Sequence, residues 1–269
     1  LVFMAEILWA KSIQRVRIVH TLHNLQNHAG VWLGLEKHIY RFFLHRCDSI
    51  RVYSETTKQQ AISQFGLKPE VVSVIQDLPY HAYYPNESTK AESRHKLGVD
   101  QAAFVFLFFG EIKAYKGVHQ LLKAYSALGF SNSVLLIAGK SYDANYWESL
   151  LAESKNNPTI HWHHRFIDDA DVQFFFNASD VVVLPFVRID HSGSIDLAMS
   201  FGKPIITLRT EGTLQLLGHQ SHLLFDNTFY PLIKCLKIAP KIDLLAIGKK
   251  NFEIADTTNY QDIVRIFEA

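Results

Sequence analysis

The chain has 269 residues, 48% of them apolar and 20% charged, with a formal net charge of +1. That length accommodates two modest domains and that composition belongs to a folded globular protein, while a near-neutral chain without a long Lys/Arg run excludes a dedicated nucleic-acid binder. Cys47 and Cys235 alone are too few for a disulfide framework or a cysteine zinc site, and the fourteen histidines show no HExxH spacing, so no metal site is expected and a reducing compartment fits.

The longest apolar runs, such as residues 104–109, fall far short of the roughly 20 residues of a membrane span. Residues 1–10 (LVFMAEILWA) are apolar without a basic leader or a small-residue cleavage pattern, so they read as a helix entered midway rather than a signal peptide. A strand at 16–21 follows, then a helix at 32–46, a strand at 49–53, a helix at 55–65 and a strand at 71–75. This alternation predicts parallel βαβ units. Residues 79–93, with Pro79, Pro85 and the polar run NESTKAES, read as an interdomain linker, which places the domains at 1–85 and 86–269.

Beyond the linker the alternation restarts: strands at 104–109, 134–138 and 160–163, with helices at 118–128, 146–154 and 171–177. The strands are continuously apolar, as a sheet covered on both faces requires, so the second domain is predicted to be a doubly wound α/β unit with a helical tail over 228–269. Residues 181–208 (VVVLPFVRIDHSGSIDLAMSFGKPIITL) form its central strand–loop–helix–strand segment. The polar turn Asp190-His191-Ser192-Gly193-Ser194 opens a helix at about 195–201, where unpaired N–H groups and the positive end of the helix dipole suit a phosphate. Simple capping by Ser192 or Ser194 explains the same residues equally well.

Together with the stretch FFGEIKAYKGVHQLLKAY at 108–125, this segment resembles the donor-binding domain of the GT-B glycosyltransferases, and specifically the retaining glycosyltransferase family 4, with an exopolysaccharide-type subgroup that uses a Ser-Gly-Ser loop. The resemblance rests on Gly110 at a strand end, the Lys116-Gly117 pair and the Ser192-Gly193-Ser194 loop, in that order. It implies two Rossmann-like domains, and it aligns His20-Thr21-Leu22-His23-Asn24 with a motif late in the family's N-terminal domain, so that domain is expected to be incomplete here.

The resemblance further implies a metal-independent enzyme without a cofactor. It would transfer a sugar from a nucleotide-diphosphate donor to a glycan or lipid-linked acceptor in polysaccharide assembly. The expected location is the cytoplasm, with peripheral contact at the inner membrane face as a further expectation. Lys116, with Lys113 as helper, would stabilise the leaving diphosphate, the alternative for Lys116 being a solvated loop lysine. Gly110, Gly117 and the Ser192–Ser194 loop would cradle the phosphates, and Arg165 and Ile167 flank the position where relatives hold the base.

Relatives carry Arg after the strand-ending glycine where this chain has Glu111, a loss that Lys113 or Arg165 would have to compensate. They also carry two glutamates at the positions of Ile189 and Leu197. Asp190 and Asp196 are each displaced by one residue from these, and either substitute for them or serve as surface and first-turn acids. His23 is implied to face the donor sugar, or else is hydrogen-bonded at a strand end; His20, His28, His163 and His164 are expected to be structural. The helix at 32–46 carries Lys37, Arg41 and Arg46 beside Trp32, Tyr40, Phe43 and Leu44, a pattern of an ordinary core-packed helix or of one touching an anionic membrane. Two rival functions stay open: a nucleotide-sugar epimerase or hydrolase, and a non-catalytic binding subunit.

Overall fold

The computed structural model describes residues 2–23, 25, 34–77, 79–189, 192–226, 229–257 and 260–268. The chain divides into two compact units, Leu1–Leu78 with Thr258–Ala269, and Pro79–Thr257.

In the first unit α1 (Val2–Ile13), β1 (Val19–Thr21), α2 (Gly34–Leu44), β2 (Ser49–Val52), α3 (Glu55–Phe65) and β3 (Val72–Val74) alternate. The strands form a parallel sheet in the order β1-β2-β3. Ile50, Val52, Ala61, Phe65 and Leu44 are its most deeply buried side chains. Ser54 caps α3 by accepting from the Thr57 N–H, and Gly66 ends it in the left-handed conformation. On β2 the buried Arg51 donates to the Ile75 carbonyl at 2.9 Å and pairs with Asp77 at 2.8 Å. α2 turns Leu44, Tyr40 and Phe43 toward this core, as a core-packed helix does, and leaves Lys37, Arg41 and Phe42 exposed, as is Arg46 in the turn that follows. Trp32 lies outside the described residues.

The second unit begins with α4 (Lys90–Lys96) and continues through β4 (Phe104–Phe109), α5 (Val118–Leu128), β5 (Ser133–Ala138), α6 (Ala144–Ser154), β6 (Ile160–His163), α7 (Asp169–Ala178) and β7 (Val181–Leu184). It ends with α8 (Gly193–Ser200), β8 (Ile205–Leu208), α9 (Glu211–Leu217), β9 (Leu224–Phe225), α10 (Phe229–Ile238) and α11 (Leu244–Ala255). Its six strands are all parallel in the order β6-β5-β4-β7-β8-β9. This is the doubly wound arrangement in which the chain starts in the middle and reverses direction between its first and fourth strands. Every residue of β5, β7 and β8 is buried, because helices cover both faces.

The boundary differs from the expected 85/86. Residues 79–84 belong with the second unit, where the Tyr80 N–H donates to Ser200 Oγ on α8 at 2.9 Å. The polar run read as linker is already structured. Glu87 and Ser88 donate their N–H groups to Gln173 on α7, and Thr89 and Glu92 form a capping box that starts α4. At the other end α12 (Tyr260–Glu268), expected in the second domain, packs on β2 of the first unit with Ile266 buried. The chain fits the GT-B class of two parallel α/β units. Among the described residues no helix is long and apolar enough to cross a membrane.

Candidate functional site

In an open parallel sheet the ligand crevice lies beyond the C-terminal strand ends, where the winding reverses. Here that point is between β4 and β7. β4 ends at Gly110, whose φ of 129° is costly for any residue with a side chain. A Cβ on Gly110 would lie 3.2 Å from Lys116 Nζ and 3.3 Å from Ser194 Oγ. The bare glycine therefore leaves the space in which a cation and a hydroxyl from two other segments converge. A short 3-10 turn, Ala114–Lys116, carries the lysine, and Gly117 follows at φ 73° as the residue before α5. A Cβ on Gly117 would sit 1.8 Å from the Pro185 carbonyl oxygen, so only glycine lets this turn close against the end of β7.

Lys116 is half-buried, and among the described residues its ammonium makes no hydrogen bond or ion pair. Burial pushes its ammonium below the ordinary lysine value; the nearby Glu111 opposes that shift and Lys113 adds to it. Lys113 differs. It is exposed, its ammonium is 2.9 Å from Glu111 Oε2, and that hydrogen bond pushes it above the ordinary value. Arg165 also has a partner of its own. Its guanidinium is held by Asp171 at 2.8 Å and by the Phe166 carbonyl.

α8 starts at Gly193, two residues before the expected start, with Ser192 as the N-cap; Ser192 Oγ accepts from the Ser194 N–H at 3.3 Å. The capping role thus coexists with the approach of Ser194 Oγ to Gly110. Asp196 sits half-buried in the first turn of α8, and Asp190 lies outside the described residues. Ile189 and Leu197, at the positions where relatives carry glutamates, are 9% and 7% exposed and belong to the hydrophobic core. Ile167 is likewise a core residue at 7% exposure.

His23 is an exposed residue of the first unit, its Nδ1 hydrogen-bonded to the Tyr53 hydroxyl at 3.0 Å. Of the expected structural histidines, His20 contacts the Tyr40 hydroxyl at 2.9 Å and His164 Nε2 accepts from the Ser141 N–H at 3.1 Å. His28 lies outside the described residues. The sequence reading missed Tyr80. Its hydroxyl lies 3.1 Å from where a Cβ on Gly193 would be, against the first residue of α8. No spacing signal marks it, since this contact spans more than a hundred residues. Among the described residues no group of three or more His, Cys, Asp or Glu could hold a metal ion.

Comparison with known proteins gives the family and the fold. The pattern of the glycosyl transferases group 1 family matches residues 89–229, and that of glycosyltransferase family 4 matches residues 1–77. An uncharacterized glycosyltransferase of Methanocaldococcus jannaschii is 25% identical over 224 residues, 78% of this chain and 56% of that protein. The D-inositol 3-phosphate glycosyltransferase of Corynebacterium glutamicum is 22% identical over 243 residues, 80% of this chain and 58% of that protein. The chain thus spans under two thirds of the length of these curated relatives. Among solved structures, Anabaena HepE in complex with UDP and glucose is similar with a TM-score of 0.78 at 20% identity, covering 98% of this chain and 73% of that one. With a doubly wound unit whose winding reverses at Gly110 and a family pattern that spans more than half of its residues, the chain belongs to the glycosyl transferases group 1 family and has the GT-B fold.

Proposed function

We propose that this chain is the donor-binding part of a retaining glycosyltransferase that moves a sugar from a nucleotide-diphosphate donor to a glycan or lipid-linked acceptor, in polysaccharide assembly in the cytoplasm. The observation that carries the proposal is the convergence of Lys116 Nζ and Ser194 Oγ on the bare Gly110 at the point where the sheet reverses. In the reaction the bond between the sugar's anomeric carbon and the diphosphate oxygen breaks, and the leaving group keeps the electron pair. The acceptor oxygen bonds to that carbon from the same face and gives its proton to the departing phosphate. The groups this chain offers are fixed donors for the growing negative charge, namely Lys116, Ser194 and the N-terminus of α8. A half-buried ammonium that makes no ion pair among the described residues suits the task, because an arriving anion compensates a charge that burial has disfavoured.

UDP bound to HepE supports a uridine nucleotide as the first donor to test. Exposed Lys37, Arg41 and Phe42 on α2, with Arg46 in the turn after it, suit contact with an anionic membrane that carries a lipid-linked acceptor. One observation favours the non-catalytic alternative: buried Ile189 and Leu197 leave those two positions without carboxylates. Turnover decides between the two. UDP-, GDP- and ADP-sugars are incubated with candidate acceptors and followed by NMR. Formation of a glycoside with the donor's own anomeric configuration is expected. Nucleotide binding without transfer to any acceptor would favour the binding subunit, and inverted product would overturn the retaining mechanism.

A further inference from the structure

We propose that Glu111 sets the affinity of the donor seat by holding Lys113 away from it, so that a nucleoside diphosphate binds by taking Glu111's place on Lys113. The inference rests on the donor-site reading above. Its starting point is the strip that leaves β4. Ile112 is buried and its N–H donates to the Lys140 carbonyl at 2.9 Å, which fixes the backbone there. The extended backbone at Lys113 (φ −128°, ψ 153°) gives the strip the two-residue alternation of a strand, so Glu111 and Lys113 lie together on the side away from the core. Their charged ends meet at 2.9 Å, with side chains 37% and 50% exposed.

An exposed pair of this kind is weak, about 0–1 kcal/mol, and a diphosphate with two or more negative charges competes well against one carboxylate. Two other cations of this unit have partners of their own. Arg165 is tied to Asp171, which also holds Lys96 at 2.9 Å, and Lys140 lies over the Tyr142 ring. Lys113 is thus held by a single exposed carboxylate, a tie that an arriving anion can replace, and it sits three residues before Lys116. Once exchanged, Glu111 is left without its partner beside the ligand, where it limits affinity and favours release of the spent diphosphate.

A double-mutant cycle read by calorimetry tests the exchange. UDP, GDP and ADP are titrated in turn into the wild type, Glu111→Gln, Lys113→Met, the double variant and Lys116→Ala, each checked for native circular dichroism. With the nucleotide that binds, Glu111→Gln is expected to tighten affinity by about three- to tenfold. Lys113→Met is expected to weaken binding by less than about threefold in the wild type but by about tenfold in the Glu111→Gln background, because only there does Lys113 act without giving up a partner. An equal effect of Lys113→Met in both backgrounds would make Glu111 a fixed repulsive charge and overturn the exchange. Failure of Glu111→Gln to tighten a binding that Lys116→Ala still weakens overturns this inference and leaves the donor site intact. No nucleotide binding to any of the proteins overturns both.

Discussion

The two ends of the β4–β7 pair handle charge in opposite ways. At their N-terminal ends Asp180 pairs with the buried Arg94 at 2.9 Å and with Lys90, and its carboxylate also accepts the Val105 N–H at 2.8 Å. Arg94 further donates to the Ala178 and Gln101 carbonyls, and Lys203 donates to the Ser179 carbonyl at 3.0 Å. At the C-terminal ends, by contrast, Lys116 makes no ion pair among the described residues, and the Glu111 carboxylate near it is paired with Lys113. The same two strands thus carry a closed ionic cluster that fastens α4 to the sheet and an open cationic seat. The lesson is that charge satisfied within the fold serves stability, whereas the proposed donor site rests on a charge left unpaired among the described residues.

That contrast breaks most visibly at Asp180. Asp180→Ala would leave Arg94 and Lys203 without their counterion, and removal of one partner of a buried pair costs about 3–5 kcal/mol. Urea denaturation is expected to show a loss of that size, with Lys116-dependent nucleotide affinity unchanged in the protein that remains folded. A loss below about 1 kcal/mol would mean that the cluster is solvated rather than structural.

The pH dependence of stability sharpens the same point. Burial lowers the Lys203 ammonium to about 8, against the attraction of Asp180. The native state therefore releases this proton before the unfolded state does, whose lysine titrates near 10.5. Between pH 8 and 10.5 the unfolded state binds more protons, so stability rises with pH across that window, by up to about 3 kcal/mol, and is correspondingly lower below it. Lys203→Met, compared with the wild type over the same pH series, is expected to remove the rise; a rise that survives the substitution would assign it to other groups.

How much of this was legible beforehand depends on range. The continuous apolar runs at 104–109 and 181–184 marked the two central strands, because a doubly covered sheet leaves no polar alternation to confuse the pattern. Gly110, Lys116, Gly117 and Ser194 were legible as well, since each lies in a local segment with its own turn chemistry. What the sequence hid were contacts between distant segments. The NESTKAES run has the composition of a linker, but Gln173 and the capping box at Thr89 make it part of the second unit. The return of α12 to β2 follows from packing alone, and Tyr80 reaches Gly193 only through the fold. Arg165 is one of the two residues that would have to compensate for Glu111, and its ion pair with Asp171 was not visible in the sequence.

The smallest expected effect follows from that last residue. Arg165→Gln removes an exposed ion pair, with an expected stability change below about 1 kcal/mol and nucleotide affinity within about twofold of wild type. A tenfold loss of affinity would show that Arg165 leaves Asp171 for the ligand, and the division between committed and available charge would have to be redrawn.

The most direct test of the central claim is the affinity of Lys116→Ala for UDP, measured by calorimetry beside the wild type with circular dichroism on both. If Lys116 is the cation of the donor seat, the substitution weakens binding by about tenfold or more, some 1.4 kcal/mol, without a change in the fold. Equal affinity in wild type and variant would contradict the account, because the convergence of Lys116 and Ser194 on Gly110 would then be packing at a strand end and not a seat for a diphosphate.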